Sequence, residues 1–600
     1  MVRWVKGKEV REMRDAETIL AIINERGKKG LHLERVYRLL FNRDLFLWAY
    51  GRIYRNDGAM TQGSTEETVD GMSLRKIDAI IDLLCQERYR WTPVRRTYIP
   101  KANGKTRPLG IPTWSDKLLQ EVMRTILEAY FEPQFSGHSH GFRPGKGCQT
   151  ALAEVHNAWT GTKWFIEGDI KGCFDNIDHK VMLAILREKI HDGRFLNLIE
   201  GLLEAGYLEE WKYNRTLSGT PQGGILSPFL ANIYLDRLDR YVEGTLIPEY
   251  TRGKNRKTPN EYIRVFKKMK SHLAKGEDMM AEEMRKALKA IPSRDYHDPN
   301  YRRLRFIRYA DDFLLGLTGP KDEAEEIKEK LTTFLRNELK LEMSKAKTLI
   351  SHAVEEPARF LGYEICVRRS DERPTINGYI SLRLPIDKLK GFCDRYRKEG
   401  KPIQRTYLID NSDFSIVEQY GQEYRGIVQY YRMADNVGWM ARLHWIMRRS
   451  LLKTLARKHK TTARKMTEKY SAKDGRRTCL EVIIERGTKP PLKAIFGEAS
   501  LKPDRWTILL DYDPRHVAFD GNHTELIQRL LADTCECCES KVEVEVHHIR
   551  HLKDLMIRGQ QTPRWKLRMA AIRRKTLVVC KECHDRIHAG LETKRPQTLN

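Results

Sequence analysis

The chain of 600 residues contains 108 Lys and Arg residues against 81 Asp and Glu residues, which gives a formal net charge of +27 at pH 7. This excess favours a polyanionic partner and therefore nucleic acid, although an acidic membrane surface would exert the same attraction. The sequence has no run of about 18 uncharged apolar residues and so predicts no transmembrane helix. Its first residues lack the apolar core of a signal peptide, so we expect a cytoplasmic protein without a targeting segment and without a membrane partner.

In chain order, the sequence predicts several domains, since one domain usually holds ~100–200 residues. Helices are predicted over the first 75 residues, with a loop rich in Gly, Thr and Glu at 56–71. Between 95 and 365, short strand-like runs alternate with helical ones, which is typical of a domain that mixes both elements. Residues 250–300 within it are basic and helical in pattern. Basic helices follow at 385–470, and 471–530 has the prolines of a linker or small module.

Two adjacent carboxylates mark the centre of the chain. Asp311 and Asp312 lie between the two apolar runs of 304–316, which predict a β-hairpin with the carboxylates at its tip. An Asp pair is also common in ordinary turns, so this segment alone leaves a structural role open.

A third carboxylate favours a functional role for the pair. Asp169 ends a predicted strand over 163–170, and Asp178 is the expected N-cap of a following helix. The apolar face predicted for that helix consists of Met182, Ile185, Leu186 and Ile190. Carboxylates on a strand and on a neighbouring hairpin can hold two Mg²⁺ ions for phosphoryl transfer, because Mg²⁺ prefers hard oxygen ligands.

The arrangement Tyr309-Ala-Asp-Asp312, with Asp169 upstream, resembles the palm of reverse transcriptases. Further motifs occur in the order found in the intron-encoded enzymes of that family: Ile99 to Pro112, Gly141 to Gly145, Gly219 to Gly224, Leu226 to Pro228, Lys347-Thr348 and Leu361 to Tyr363. Each motif is weak alone, but the ordered set is specific. The chain therefore resembles the group II intron reverse transcriptases, also called maturases.

The resemblance implies roles for individual residues. Asp169 and Asp311 would bind the two Mg²⁺ ions. The Ile170 carbonyl would be a further ligand, and Asp312 would support the site.

It also implies contacts to the incoming dNTP. Lys101 and Arg107 would grip the triphosphate. Phe174 would exclude a ribose 2′-OH, with core packing as the alternative role. Gln222 would face the nucleotide, with an ordinary turn as the alternative. Lys347 belongs to the same predicted nucleotide site.

A basic helical region follows the palm. Its apolar stripe is Met440, Leu443, Met447, Leu451 and Leu455. Another face carries Arg442, Arg449, Lys453, Arg457, Lys460 and Arg464. Such a face is often merely solvated. The net charge and the aromatic segment from Tyr420 to Tyr431 favour RNA binding, through phosphate contacts and base stacking. The position also matches the thumb, or domain X, of the family.

The eleven cysteines are distributed unevenly: six are scattered from Cys85 to Cys479, and five lie close together near the C-terminus. Scattered cysteines are typical of a reducing compartment. The two Cys-x-x-Cys pairs of the late group suit one tetrahedral structural Zn²⁺, with the ligands Cys535, Cys538, Cys580 and Cys583. Cys537 is a fifth thiol that could exchange roles with a neighbour.

Histidines accompany these cysteines. His547 and His548 lie on a predicted strand, and His584 and His588 share one face of a predicted helix. The pattern resembles the HNH, or ββα-metal, endonucleases. The resemblance makes His548 the general base and makes the other three histidines ligands of a catalytic divalent metal ion. Lys575 stands near the position of the Asn in the motif's name.

The predicted fold is a multidomain α+β protein: a right-hand polymerase whose fingers and palm hold an antiparallel sheet, an α-helical thumb, and a C-terminal ββα-metal zinc module. The predicted segments are an N-terminal helical extension at 1–75, fingers and palm at 76–370, thumb at 380–475, a DNA-binding or linker region at 476–530 and the HNH module at 531–600.

The predicted function is that of a multifunctional group II intron protein. It would form a ribonucleoprotein with its intron RNA, assist splicing, nick target DNA and copy the RNA. A bacterial cytoplasmic location, with nucleoid association during integration, is expected. The alternatives are an RNA-binding splicing cofactor and a reverse transcriptase of the retron or CRISPR type.

Overall fold

The structure, a computed structural model, describes residues 2–5, 8–11, 15–100, 104, 106–209, 212–214, 219, 223–295, 298–344, 346–370, 376–474, 477–486, 489–506, 524–550, 563–572 and 574–594. Within these ranges, no helix is both long enough and apolar enough to cross a membrane.

The N-terminal segment is mainly helical, as predicted, but it begins with a β-hairpin. Its elements are β1 (Val2–Val5), β2 (Lys8–Arg11), α1 (Ala16–Lys28), β3 (Leu33–Glu34), α2 (Arg43–Ile53) and α3 (Leu74–Cys85). Asp15 caps α1 by accepting a hydrogen bond from the Thr18 N–H at 2.7 Å. These helices share one core with the domain that follows, so the packing shows no break at residue 75.

The fingers and palm follow. Their first elements are β4 (Val94–Pro100), β5 (Thr106–Ile111), α4 (Trp114–Phe131), β6 (Ser139–His140), α5 (Cys148–Ala158), β7 (Trp164–Asp169), α6 (Cys173–Asn176), α7 (His179–Arg187), β8 (Ile190–His191), α8 (Gly193–Glu204), β9 (Tyr207–Glu209) and β10 (Lys212–Asn214). Asp178 caps α7 by accepting from the Val181 N–H at 2.9 Å, as predicted. Ile190 was wrongly placed on that helix, because the helix ends at Arg187 and Ile190 lies in β8.

The second part of the domain completes the palm sheet. It consists of α9 (Ser227–Tyr241), α10 (Ile247–Glu249), α11 (Asn260–Ala274), α12 (Asp278–Ala290), β11 (Arg303–Tyr309), β12 (Asp312–Thr318), α13 (Lys321–Glu338), β13 (Ile350–His352), β14 (Ala358–Phe360), β15 (Tyr363–Val367) and β16 (Ile380–Arg383). The palm sheet has the order β13-β7-β12-β11-β6, antiparallel except where β6 runs parallel to β11. The hairpin predicted around Asp311 and Asp312 is confirmed as β11 and β12.

The thumb is a helical bundle with an added sheet. Its elements are α14 (Ile386–Asp394), β17 (Arg397–Lys398), β18 (Lys401–Pro402), α15 (Asp413–Tyr430), α16 (Met440–Lys458), α17 (Ala463–Tyr470), β19 (Ser471–Asp474), β20 (Arg477–Arg486) and β21 (Lys489–Phe496). Strands β19 to β21 form an antiparallel sheet, and the backbone of Ile495 lies directly against Gly421 of α15. Of the two alternatives for 471–530, a linker or a small module, the part up to Phe496 is thus folded and packs on the thumb.

The C-terminal module consists of α18 (Glu525–Leu531), β22 (Val544–His548), α19 (Arg564–Ile572), β23 (Thr576–Cys580) and α20 (Lys581–His588). Strands β22 and β23 pair antiparallel, and α20 follows directly, which gives the expected ββα order. Val544 and Val546 of β22 belong to the core that holds the N-terminal helices, so the module is docked on that segment.

One buried ion pair fixes the palm hairpin. Arg308 of β11 and Asp239 of α9 are both fully buried, and two nitrogens of the guanidinium bind the two carboxylate oxygens at 2.7 and 2.6 Å. The remaining donors reach Asn232 Oδ1, Ser139 Oγ and the Ala310 carbonyl at 2.7–3.1 Å. All five N–H donors of Arg308 are thus used, and its bond to the Ala310 carbonyl holds the turn that precedes Asp311.

We expect Asp239→Ala to destabilise the palm by ~3–5 kcal/mol, because it leaves the Arg308 charge buried without a partner. Urea unfolding followed by tryptophan fluorescence measures the change. Glu25→Ala removes an exposed partner of Lys28 and serves as the control, with no expected shift of the midpoint. Equal midpoints for the two variants would contradict the importance of the buried pair.

Candidate active sites and nucleic-acid interface

The structure brings the three predicted palm carboxylates together. Asp169 is the last residue of β7, Asp312 is the first residue of β12, and the two are cross-strand partners. Asp311 lies in the turn after Ala310, whose φ of 53° makes the turn tight. Gly168 allows the strands to pair here, because a Cβ at this position would lie 2.0 Å from the Phe313 ring. The sheet register and the turn therefore place all three carboxylates at the same end of the central strands β7, β11 and β12.

Their electrostatics are those of a cation site. Burial, followed by the negative charge of Asp169, raises the pKa of Asp311. Asp312 as a whole residue is exposed. Burial of its carboxyl group and the negative charges of Asp311 and Asp169 nevertheless raise its pKa to about 6. The Lys347 ammonium donates to Asp169 Oδ1 at 2.8 Å, and this hydrogen bond raises the pKa of Lys347.

A cleft of 160 Å³ opens beside the carboxylates. Arg107 of β5, Phe174 of α6 and Lys347 line it together with Asp169 and Asp311. Phe174 is half-buried and also packs against the main core, so both roles considered for it are compatible with its position. The cleft thus combines carboxylates, two cations and an aromatic wall. Ile170 is buried at its base and also lines it.

Two glycines of the Gly219–Gly224 motif pack closely against the backbone of segments that border this cleft. A Cβ on Gly219 would lie 2.7 Å from the carbonyl oxygens of Phe174 and Asp175, and one on Gly223 would lie 2.5 Å from the Gly110 carbonyl oxygen. Both glycines have positive φ, so only this residue type combines that conformation with such close approach. Lys101 and Gln222, which we assigned to the nucleotide, lie outside the described residues.

The basic face of the thumb is exposed as predicted. The five residues of the apolar stripe of α16 are fully buried. Arg442, Arg449, Lys453 and Arg457 are exposed, although the Lys453 ammonium also donates to the Pro402 carbonyl at 2.7 Å. Lys460 and Arg464 are exposed as well, but they lie beyond the end of α16 at Lys458. The cationic face therefore spans α16, the following turn and the start of α17.

The aromatic segment from Tyr420 to Tyr431 is exposed only in part: Tyr430 is 37% exposed, and its hydroxyl donates to the Leu361 carbonyl at 2.7 Å. Tyr420, Tyr424 and Tyr431 are buried in the thumb core, where they cannot stack on bases. Trp439 and Trp445 are half exposed instead, and the Arg449 guanidinium lies 4.7 Å from the Trp445 ring centroid. The tyrosines face inward because α15 packs between α16 and the sheet of β19 to β21.

The four predicted zinc ligands converge. The sulfur atoms of Cys535, Cys538, Cys580 and Cys583 lie within 4.8 Å of one another, and Cys537 is not part of this group. The Cys538 N–H points at the Cys535 sulfur at 3.4 Å, an arrangement that stabilises a thiolate. Four cysteine sulfurs at this separation are compatible with one zinc ion.

Three predicted histidine ligands also converge. His584 Nε2 lies 3.0 Å from His547 Nδ1 and 3.1 Å from His588 Nε2. The other ring nitrogen of His584 lies 2.6 Å from Glu545 Oε1. A neutral His584 that donates to Glu545 directs its free lone pair into the cluster, which is the orientation a metal ligand needs. The donor set therefore fits a divalent metal ion.

Sequence reasoning missed two members of this site. Glu545 lies two residues before His547, so strand alternation places both side chains on one face and could have identified it. Asp70 gave no such signal, because it lies 478 residues before His548. Its carboxylate joins the three histidines in a group of potential ligand atoms that lie within 4.8 Å of one another.

His548 points away from the three other histidines, since neighbouring strand residues face opposite sides. Its Nε2 lies 3.2 Å from the Tyr50 hydroxyl, and the ring borders a groove that also contains Arg55, Arg550 and Lys575. Burial lowers the pKa of His548 to about 4. The imidazole is therefore neutral at pH 7, the form that can accept a proton. Lys575, at the position expected for Asn, accepts a hydrogen bond from the Ile549 N–H through its backbone carbonyl.

The side chains of His584 and Asp70 influence each other's protonation. Burial alone would lower the pKa of His584, but hydrogen bonds with Asp70 and Glu545 raise it to about 9. The ring is therefore protonated at neutral pH, and it becomes the neutral ligand described above only when a metal ion replaces the proton on Nε2. Burial would likewise raise the pKa of Asp70, but the hydrogen bonds with His547 and His584 hold it well below its usual range. Asp70 is thus a carboxylate at neutral pH.

Comparison with known families divides the chain in the same order as its sites. Residues 99–365 match the family "Reverse transcriptase (RNA-dependent DNA polymerase)". Residues 379–488 match "Type II intron maturase", which extends past the predicted thumb boundary at 475. Residues 535–584 match "AI2M/AI1M-like, HNH endonuclease".

Similar proteins cover nearly the full chain. It is 39% identical to "Group II intron-encoded protein LtrA" of Lactococcus lactis subsp. cremoris, over 96% of this chain and 99% of the relative. It is 33% identical to "Putative COX1/OXI3 intron 1 protein" of Saccharomyces cerevisiae, over 92% of this chain and 68% of the relative. The chain thus belongs to the group II intron-encoded proteins and is a multifunctional member with reverse transcriptase, maturase and HNH endonuclease domains.

Proposed function

We propose that the palm cleft is the polymerase centre, with Asp169 and Asp311 as ligands of two Mg²⁺ ions, the Ile170 carbonyl as a further ligand, and Asp312 in support. The observation that carries this proposal is the convergence of carboxylates, cations and Phe174 on one cleft. When bound, the two ions stabilise the attacking and leaving oxygens of phosphoryl transfer. Lys347 also supplies positive charge beside Asp169, since its ammonium donates to Asp169 Oδ1 at 2.8 Å.

Arg107 and Lys347 would bind the triphosphate of the dNTP, since both cations line the cleft that holds the carboxylates. Phe174 would close the space beside the 2′ position of the sugar and so favour deoxyribonucleotides. Its ring is held by the core behind it, which makes it a rigid wall. Lys101 and Gln222 keep the same proposed roles on the strength of their motifs alone.

The exposed face of α16 would bind the phosphates of intron RNA within a ribonucleoprotein, through Arg442, Arg449, Lys453, Arg457 and Lys460. The adjacent Trp439 and Arg442 line a shallow pocket with an apolar floor at Leu389. This pocket suits an unpaired base, because aromatic and guanidinium planes both stack on nucleobases. The arrangement supports RNA binding over a merely solvated face.

The C-terminal module would nick target DNA. Cys535, Cys538, Cys580 and Cys583 would hold structural Zn²⁺, and His547, His584 and His588 would hold the divalent metal ion of the nuclease. His548 would accept a proton from the attacking water. Its groove is lined by Arg55, Arg550 and Lys575, whose charges suit a DNA backbone. Nicking would supply the primer for the polymerase.

The location proposed for the protein is the bacterial cytoplasm, with nucleoid association during integration. A bacterial relative, the Lactococcus protein, supports the first part, and the proposed DNA substrate supports the second.

Replacing Asp311 and Asp312 by Ala should reduce cDNA synthesis on an RNA template by at least ~10³-fold, because the metal ions lose their ligands. Intron RNA binding should persist, since the basic thumb face is untouched. The control is Asp322→Ala with Glu325→Ala, two exposed carboxylates of α13. Primer extension measures the effect, and undiminished cDNA synthesis would contradict the proposed polymerase centre.

Changing Arg449, Lys453 and Arg457 to Gln should weaken intron RNA binding and reduce its salt dependence. Removing one phosphate-binding cation from a single-stranded site lowers the log–log salt slope by ~0.7. Filter binding across a salt series measures both quantities. The matched control changes Lys321, Arg336 and Lys340 to Gln, which removes the same charge from an exposed surface elsewhere. Identical slopes in the two triple variants would leave the thumb face as a solvated surface.

Cys583→Ser should lose zinc and unfold the C-terminal module, because metal binding there contributes folding free energy. Cys537→Ser is the matched control and should retain zinc, since Cys537 lies outside the four-cysteine group.

His548→Ala should also retain zinc but nick the intron's DNA target ~10²–10⁴-fold more slowly, the usual effect of losing a general base. Zinc is counted by mass spectrometry. Normal nicking by His548→Ala would show that His548 is structural.

A further inference from the structure

The carboxylate of Asp70 lies inside the histidine cluster of the nuclease module. Its Oδ2 is 2.8 Å from His588 Nε2, and its Oδ1 is 3.2 Å from His584 Nε2 and 3.4 Å from His547 Nδ1. The Asp70 side chain is only 13% exposed. Asp70 belongs to the N-terminal segment, so this arrangement joins two domains that lie at opposite ends of the chain.

Backbone hydrogen bonds hold Asp70 in this position. The Gly71 N–H donates to the Val546 carbonyl at 3.0 Å, and the Val546 N–H donates to the Met72 carbonyl at 2.8 Å. The His548 N–H also donates to Asp70 Oδ1 at 2.7 Å. Met72 thus forms an isolated antiparallel bridge with Val546 along the free edge of β22. The position of Asp70 is therefore built into the fold and is not a chance approach of two surface side chains.

The chemistry of the donor set gives this position a consequence. Catalytic metal sites keep one coordination position open for substrate, whereas sites closed by four protein ligands are structural. Three histidines leave such a position open, and a fourth, anionic oxygen ligand fills it. A phosphate oxygen of DNA is also an anionic oxygen ligand, so it competes with Asp70 for the same position.

We propose that Asp70 is the fourth ligand of the nuclease metal ion in the free protein, and that a phosphate of the target DNA displaces Asp70 before the strand is nicked. This inference rests on the nuclease site proposed above. It adds that the N-terminal segment keeps the nuclease latent until DNA is bound. A purely structural role, in which Asp70 only accepts hydrogen bonds from the histidines, is the competing explanation.

Metal binding in the absence of DNA provides the first test. Full-length protein carrying Asp311→Ala and Asp312→Ala, so that the palm does not contribute, is titrated with Mn²⁺ and followed by electron paramagnetic resonance. Asp70→Ala should weaken Mn²⁺ binding by at least ~10-fold, since even the loss of outer-shell partners costs 10–100-fold. Glu66→Ala, an exposed carboxylate of the same loop, is the control and should bind as the parent does. Unchanged affinity in Asp70→Ala would overturn the proposal.

Asp70→Asn separates ligation from docking. Its amide oxygen can still accept from the His548 N–H, so the module should stay docked, but a neutral amide is a weaker ligand than a carboxylate. This variant should therefore also bind Mn²⁺ more weakly while its zinc content stays unchanged. Parental Mn²⁺ affinity in Asp70→Asn, combined with weak binding in Asp70→Ala, would assign Asp70 to docking alone and overturn the proposal.

Nicking at saturating Mn²⁺ provides the second test. With the palm intact and intron RNA bound, Asp70→Asn should nick a limiting amount of the intron's DNA target ~3–10-fold faster than the parent, because DNA no longer competes with a carboxylate. Slower nicking at saturating metal would make Asp70 a permanent ligand and overturn the displacement step.

His588→Ala distinguishes this proposal from the one on which it rests. If His588→Ala weakens Mn²⁺ binding and Asp70→Asn does not, the nuclease site stands and the role of Asp70 falls. If neither variant weakens binding, the nuclease metal site itself is wrong.

Discussion

The ion pair between Arg308 and Asp239 determines where the three palm carboxylates lie. Arg308 lies in β11, Asp239 in α9, and the same guanidinium also binds Ser139 of β6 and the Ala310 carbonyl. A fully buried guanidinium is tolerated only when its charge is paired and its donors are satisfied. Meeting that condition brings three elements to fixed positions around one turn, and Asp311 is the next residue. The Arg308–Asp239 ion pair therefore fixes the position of Asp311 without contacting it directly.

The polymerase domain holds a group of carboxylates and, a short distance away, the cations that a polyanionic substrate needs. The carboxylates lie so close together that the charges of Asp311 and Asp169 add to the effect of burial and raise the pKa of Asp312 to about 6. The substrates of such a site are themselves polyanions, so cations must line the approach. Arg107 and Lys347 provide them at the cleft, and the exposed face of α16 provides them along the thumb. The large net positive charge is thus organised around a small acidic centre.

The C-terminal module is docked on the N-terminal helices, although the two segments lie at opposite ends of the chain. Val544 and Val546 fill the same core as the N-terminal helices, while Glu545 and His547 face the histidine cluster. Strand alternation in β22 therefore separates a packing face from a chemical face. The same alternation turns His548 toward Tyr50, away from the cluster, so two adjacent histidines occupy different environments.

Local sequence pattern was sufficient to predict several elements and ligand groups. Four features could be predicted in this way, because each depends on local backbone geometry or on a short ligand motif: the Asp311 hairpin, the Asp178 cap, the buried stripe of α16 and the two cysteine pairs. The ordered polymerase motifs added the family, and with it the palm carboxylates.

Features that depend on contacts between distant segments could not be predicted from local pattern. Sequence spacing could not show that Tyr420 and Tyr424 would be buried, because α15 is covered by a sheet from a region that the prolines left open as a linker or a small module. Nor could it show that Arg308 would pair with Asp239, or that Asp70 would enter the histidine cluster. These pairs join residues far apart in the chain, and only the packing of whole elements against one another brings them within bonding distance.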